Sequence, residues 1–335
     1  MIIDVHAHYV PPSLLDALAA ERRLFPSVEV LGERSAMRMA FAGKDATRPI
    51  SPKLSDPAAR RDWLSKQGIQ RQVVGGWLDI FGYELPAAEG ADWCRFLNRH
   101  MRDAASGLDE LVPLASVPLQ SGKLAAEILE EALGMGFHGA MIGTQPKGVG
   151  GALDDADLNP FWEAASAKQA TVFLHPMFAC GDDRLNDYDL VNGVGRLTDT
   201  TTAVARLLFS GHVTRYSGVK LLISHGGAAL PYALGRLKRN FDIHPGKYAD
   251  PVAEFARLYF DTVLFDPRAL RFLCDLAGAD KIMLGSDYPF PIGDAEPTKV
   301  VDSASLSEVE RRSILSETAA KLFHVSCDCG AGAKT

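Results

Sequence analysis

Ile2-Ile3-Asp4-Val5-His6-Ala7-His8 is a short apolar run that closes on two histidines, and Tyr9-Val10-Pro11-Pro12 follows it. A doubly wound sheet usually places a glycine-rich phosphate turn after its first strand. None follows here. Seven more runs of strand formers recur at residues 72–77, 111–117, 138–143, 171–175, 219–225, 257–263 and 281–287. They are rich in Val, Ile, Leu and Phe and lack strict alternation, as parallel strands covered on both faces do. Between them, residues 124–133, 160–168, 200–209 and 268–277 carry apolar residues three and four apart, the spacing of one helix face. Ser121 and Asp157 stand where helix N-caps belong. Eight strands alternating with helices predict an α/β fold, a closed (β/α)8 TIM barrel.

Composition sets the outer limits. The chain has 335 residues, 47% of them hydrophobic and 23% charged, with a formal net charge of −7. One barrel accounts for residues 1–325 as a single domain, with 326–335 as a flexible tail. The acidic balance argues against nucleic acid as a partner. No apolar run approaches the roughly 18–20 residues a membrane span needs, so no membrane partner is expected. The start shows no basic, apolar leader, and five cysteines form an odd, sparse set; both point to a reducing cytoplasm. Cys327 and Cys329 fall in a Gly/Ala-rich tail, where fraying is expected rather than a metal pair. Residues 9–70 form a long connection between the first two strands, punctuated by Pro11, Pro12, Pro26, Pro49, Pro52 and Pro57. Helix is expected in it only at 13–23 and 57–67. Such βα loops lie over the active face of a barrel, which makes this one a lid or specificity element.

The polar residues fall where that fold puts chemistry, at the C-terminal ends of strands. His6 and His8 are two apart on a strand and so share a face. The fifth strand ends at His175, the sixth at Ser224-His225-Gly226-Gly227 and the eighth at Gly285-Ser286-Asp287-Tyr288-Pro289. Four of the nine histidines thus occupy strand ends, together with one aspartate. Taken singly, each has an ordinary reading as a hydrogen-bonded histidine or a helix cap. Taken together they predict a metal site. Imidazoles with a carboxylate suit Zn2+, with Mn2+, Fe2+ or Co2+ as substitutes. The fourth strand ends in Gly143 rather than a bridging lysine, so one metal is expected per subunit. His138, His100, His212, His244 and His324 fall elsewhere and carry no such expectation.

His6-x-His8, Leu174-His175-Pro176, His225-Gly226-Gly227 and above all Met283–Gly293 (MLGSDYPFPIG) resemble the amidohydrolase superfamily. They are most similar to its aminocarboxymuconate-semialdehyde decarboxylase branch of metal-dependent decarboxylases. The resemblance runs from Ile3 to about Phe323. It implies a single-zinc enzyme, a carboxy-lyase that releases CO2 from an unsaturated or aromatic carboxylate without oxidation. It further implies His6, His8, His175 and Asp287 as metal ligands and His225 as the general acid/base that activates the metal's water. Arg48 and Arg236 correspond to substrate-carboxylate arginines, Arg236 reaching in from a neighbouring subunit of a homodimer. Phe81 and Asn192 fall at substrate-contacting positions. Asn192 stands where a tryptophan is expected, so the semialdehyde itself does not follow; a hydroxy-aryl carboxylate fits as well. A hydrolase of lactones or amides, or a hydratase, would use the same metal and water. A non-enzymatic zinc scaffold would have no use for His225.

Overall fold

The computed structural model describes residues 1–147, 151–177 and 182–326. Cys180, Cys327, Cys329 and the expected tail beyond residue 326 lie outside the described residues. Among the described residues ten strands are formed: β1 (Ile3–His8), β2 (Val28–Leu31), β3 (Arg38–Phe41), β4 (Arg71–Gly75), β5 (Leu111–Pro113), β6 (Gly139–Gly143), β7 (Thr171–His175), β8 (Lys220–Ile223), β9 (Tyr259–Asp261) and β10 (Ile282–Met283). Eight of them make the barrel. They pair in parallel in the order β1-β4-β5 and β6-β7-β8-β9-β10. At one seam Ala115 bridges to Ala140. Its amide donates to Gly139 O at 2.9 Å and its carbonyl accepts from Met141 N at 3.0 Å. At the other, Val5 N donates to Leu284 O and Asp287 N to His6 O, both at 2.8 Å.

Every predicted barrel strand is present; the fifth has the expected bounds, the second is shifted one residue earlier at its start, and most are shorter than expected. The eighth shows why. Past Met283 the chain keeps exchanging hydrogen bonds with β1, yet Asp287 has a φ of 59°, which breaks the ladder and swings its carboxylate inward. The strands are buried on both faces, from Val5, Val73 and Ile142 to Phe173, Leu222 and Phe260, and this removes any need for alternation.

The helices expected at 124–133, 160–168, 200–209 and 268–277 appear as Gly122–Gly134, Asn159–Ala167, Arg196–Phe209 and Pro267–Ala277. Ser121 caps the first of them by accepting from Leu124 N at 3.4 Å. Asp157 does not cap the second. It lies in a short 3-10 turn, Ala156–Leu158, and its carboxylate pairs with Lys147 instead.

The 9–70 connection holds more than two helices. Helices Pro12–Ala20 and Pro57–Gln67 form, the latter capped by Asp56. Between them β2 and β3 make an antiparallel hairpin that was not expected. Val28 and Val30 point inward while Glu29 is exposed, and the alternation Val28-Glu29-Val30 was its readable signal. Val28, Val30, Met39 and Phe41 join Leu14, Leu18, Ile50, Trp77 and Trp93 in an apolar cluster of their own.

Helix Pro57–Gln67 also sends Arg60 beneath the first strand. Only 1% of Arg60 is exposed. Its guanidinium lies 4.9 Å from the Tyr9 ring centroid and 4.7 Å from that of Tyr288. It donates to His8 O at 2.5 Å and to Gln72 Oε1. Gln72 donates on to Asp4 Oδ2 at 2.8 Å, and Ser286 Oγ donates to the same oxygen at 2.6 Å. Burial pulls the Arg60 pKa down to about 10, still cationic at neutral pH. Arg60 Nε has no partner, but the chain through Gln72 and Asp4 ties the His8 backbone to Ser286, the residue before Asp287.

Candidate metal centre and cavity

His6, His8, His175, His225 and Asp287 meet at the strand-end rim. His6–His8, His6–His175, His8–His175, His6–His225 and His175–His225 ring centroids are 5.5, 4.9, 4.7, 5.2 and 5.1 Å apart. One candidate ligand atom from each of His6, His175, His225 and Asp287 lies within 4.8 Å of the others, a grouping that takes in His225 and omits His8. Hydrogen bonding sorts the two differently. Asp287 Oδ1 lies 3.3 Å from His6 Nε2, 3.1 Å from His8 Nε2 and 3.8 Å from His175 Nε2. His225 Nε2 instead faces the second oxygen, Oδ2, at 3.6 Å.

The far ring nitrogens decide which lone pairs are free. His8 Nδ1 donates to Gly76 O at 3.1 Å and His175 Nδ1 to Pro176 O at 3.0 Å. A carbonyl only accepts, so these rings carry their proton on Nδ1 and present Nε2 inward. His6 Nδ1 is bonded to Asp261 Oδ2 at 2.7 Å. His6 Nε2 and His175 Nε2 are buried with no hydrogen-bond partner. Buried, unpartnered nitrogens converging on one carboxylate oxygen are what a metal ion satisfies. The residues present therefore fit a single Zn2+ or Mn2+.

The same contacts shift the titration of these groups. Burial disfavours charge on His6, but the Asp287 charge and the Asp261 hydrogen bond outweigh it and push its pKa up to about 10. Burial lowers that of His8 and takes His175 well below its ordinary value. Burial opposes ionisation of Asp287 too. The His6 charge and the close approach of the His175 and His225 imidazoles nevertheless hold it well below the usual carboxylate range.

Asp261, at the end of β9, is the residue that sequence reasoning missed. Besides His6 Nδ1 it accepts from His225 N at 3.0 Å and Gly226 N at 2.9 Å. One carboxylate thus aims the His6 ring and holds the loop that carries His225. That loop turns at Gly226, with φ 59°, where a Cβ would meet Leu264 Cδ2 at 2.3 Å. Gly285 is equally constrained, since its Cβ would sit 2.9 Å from Asp261 Cβ and 3.1 Å from His6 Cβ. Tyr259-Phe260-Asp261 carried the same signature as the eighth strand, an apolar run ending in a carboxylate. Asp261→Asn is expected to weaken metal binding about 10- to 100-fold. Competition against a chelating dye measures this; unchanged affinity would mean that His6 is oriented without Asp261.

The centre opens into a cavity of about 1070 Å3 lined by His175, His225, Asp287, Arg48, Asn192 and Arg196, with apolar walls that include Val263, Leu264 and Phe290. His6 and His8 are 0% exposed, whereas the His225 side chain is 15% exposed. The first two sit below the floor, and His225 stands in the wall. Of the substrate candidates, Arg48 and Asn192 reach the cavity. Arg48 is already held by Asp79 Oδ2, with Nε at 3.2 Å and Nη2 at 3.1 Å. Phe81 does not reach it: the ring is 1% exposed in the core, packed beside Gly76, whose carbonyl holds His8. Arg236 is exposed on helix Leu230–Asp242 and lines no part of this chain's cavity. The helix turns it outward, because Leu230, Pro231 and Leu234 occupy the buried face.

Known proteins resemble the chain over most of its length. The amidohydrolase family model matches residues 3–325. A 2-amino-3-carboxymuconate-6-semialdehyde decarboxylase from Dictyostelium discoideum is 30% identical, over 80% of this chain and 76% of its own. A 2-keto-4-carboxy-3-hexenedioate hydratase from Sphingobium is 23% identical, over 96% of each chain. Among solved structures, 5-carboxyvanillate decarboxylase from Novosphingobium aromaticivorans, complexed with manganese and 4-hydroxy-3-methoxy-5-nitrobenzoic acid, superposes with a TM-score of 0.79 at 17% identity. That match covers 97% of this chain and 96% of the other. Among the described residues no helix is long and apolar enough to cross a membrane.

Proposed function

Because the chain belongs to the amidohydrolase family, we propose that it is a metal-dependent decarboxylase that releases CO2 from an unsaturated or aromatic carboxylate without oxidation. The observation that carries this reading is the division of labour around Asp287. Three buried histidines present Nε2 to one of its oxygens, and His225 faces the other from the cavity wall. His6, His8, His175 and Asp287 would hold the metal. Zinc is our assignment, with manganese, the ion complexed in the carboxyvanillate decarboxylase structure, as a substitute. When bound, the ion supplies a Lewis acid for the negative charge that develops on the substrate.

The chain's own residues supply the rest. His225 holds a proton beside the reacting carbon and delivers it there as the bond to the carboxylate breaks, so that R–COO− and H+ become R–H and CO2. Val263, Leu264 and Phe290 keep the carboxylate poorly hydrated, which favours losing its charge as CO2. The end of β6 adds no further ligand. Met177 and Tyr83 crowd Gly143, with a Cβ there only 3.2 Å from each, which suits a single ion. A homodimer would give the exposed Arg236 a role at a neighbouring cavity that it lacks in its own.

A hydratase is the second reading, favoured by the full-length similarity to the hexenedioate hydratase. It would use His225 for the same proton delivery. The two are separated by incubating the metal-loaded protein with unsaturated and aromatic di-acids while following ultraviolet absorbance and CO2 together. The expected result is one CO2 released for each substrate consumed. Consumption with gain of water and no CO2 would replace the decarboxylase by the hydratase.

A further inference from the structure

Asn192 and Arg196 are four residues apart where the π-helical turn Val191–Gly195 runs into helix Arg196–Phe209. Residues at that spacing share a helix face, and both line the cavity that holds His175, His225 and Asp287. Arg196 also lines a smaller adjoining cavity of about 280 Å3 with Lys44, Asp79 and Glu84.

Among the described residues its charge is uncommitted. No carboxylate among the described residues lies within ion-pair distance of its guanidinium, and its Nε is buried without a hydrogen-bond partner. Asp79, the nearby acid, is engaged by Arg48 through two nitrogens. Burial lowers the Arg196 pKa, with Asp79 partly offsetting that effect. A half-buried cation facing an open cavity without a partner carries a desolvation cost that an anionic ligand would relieve. Arg48 differs in this respect, being exposed and already neutralised.

We propose that Arg196, assisted by the Asn192 amide, binds a second carboxylate of the substrate, so that the preferred substrate is a planar di-acid whose other carboxylate lies at the metal centre. The inference rests on the decarboxylase reading for the fate of that other carboxylate. The subsite itself is a matter of binding. Guanidinium matches carboxylate with two parallel N–H···O bonds, and Asn192 adds a neutral donor on the same face.

The test uses two unreactive aromatic probes, isophthalate and its mono-amide 3-carbamoylbenzoate, titrated calorimetrically into the metal-loaded protein. Wild type should bind isophthalate about tenfold or more tightly than the amide. Arg196→Met should abolish that preference by weakening isophthalate alone, with metal content and amide affinity unchanged. Arg196→Lys, which keeps the charge but loses the fork, should retain part of it. A preference that survives in the Met variant overturns the proposal. So does equal weakening of both probes, or no isophthalate binding by wild type at millimolar concentration. Because nothing turns over, this outcome is independent of the CO2 assay. A preference that depends on Arg196 in a protein that releases no CO2 would keep the subsite and discard the decarboxylase.

Discussion

Replacing His225 with asparagine is expected to reduce turnover by about 100- to 10,000-fold while leaving one metal ion bound per chain. The magnitude is that of losing a positioned proton donor. The retention of metal follows from geometry. His225 Nε2 faces Asp287 Oδ2, away from the oxygen on which His6, His8 and His175 converge. Its side chain is 15% exposed in the cavity wall, whereas His6 and His8 are sealed beneath the floor. Asparagine keeps the polarity and removes the proton. Elemental analysis and initial rates on the same preparation make the measurement. Loss of metal together with activity would move His225 into the ligand set. That is the grouping given by ligand-atom proximity alone.

Asp287→Ala should behave in the opposite way, losing metal and activity together. The Asp287 carboxylate is the common contact of all four histidines, and its Oδ1 is the atom towards which three Nε2 atoms turn. Without it the ring cluster is all imidazole, and the nearby carboxylates Asp261 and Asp4 lie behind His6. Lewis-acid stabilisation is worth several kcal/mol, so activity should fall by about 1,000-fold or more. Thermal unfolding with and without added zinc supplies the control: wild type should be stabilised by the ion and the variant should not. Full metal occupancy in Asp287→Ala would refute the ligand assignment.

Much of the barrel was legible because a parallel strand covered on both faces leaves a simple mark, a short apolar run ending in one polar residue. The same mark located His6, His8, His175, His225 and Asp287. It failed in instructive ways. Arg257 to Val263 was read as a strand, yet Asp261 received no role, since nothing local distinguishes a carboxylate that aims a histidine from one that caps a helix. Arg48 and Arg236 both carried an expected charge. Only position shows that Asp79 already holds the first and that the second faces outward. Phe81 fell at a plausible site position and proved to be core, since the turn after β4 folds it under Gly76.

By itself, then, the sequence determined the eight strands, the helices between them and the identity of the residues delivered to the rim. These follow from periodicity and chain direction over a few residues. Barrel closure decided the rest. His6 meets Asp261 across 255 residues and Ser286 meets Asp4 across 282, contacts that exist only once the last strand lies beside the first. Closure also turns three Nε2 atoms onto one oxygen, buries Arg60 between Tyr9 and Tyr288, and leaves Arg196 without an ion-pair partner among the described residues. Hydrogen-bond direction and burial depend on neighbours far away in the chain, and no local pattern encodes them.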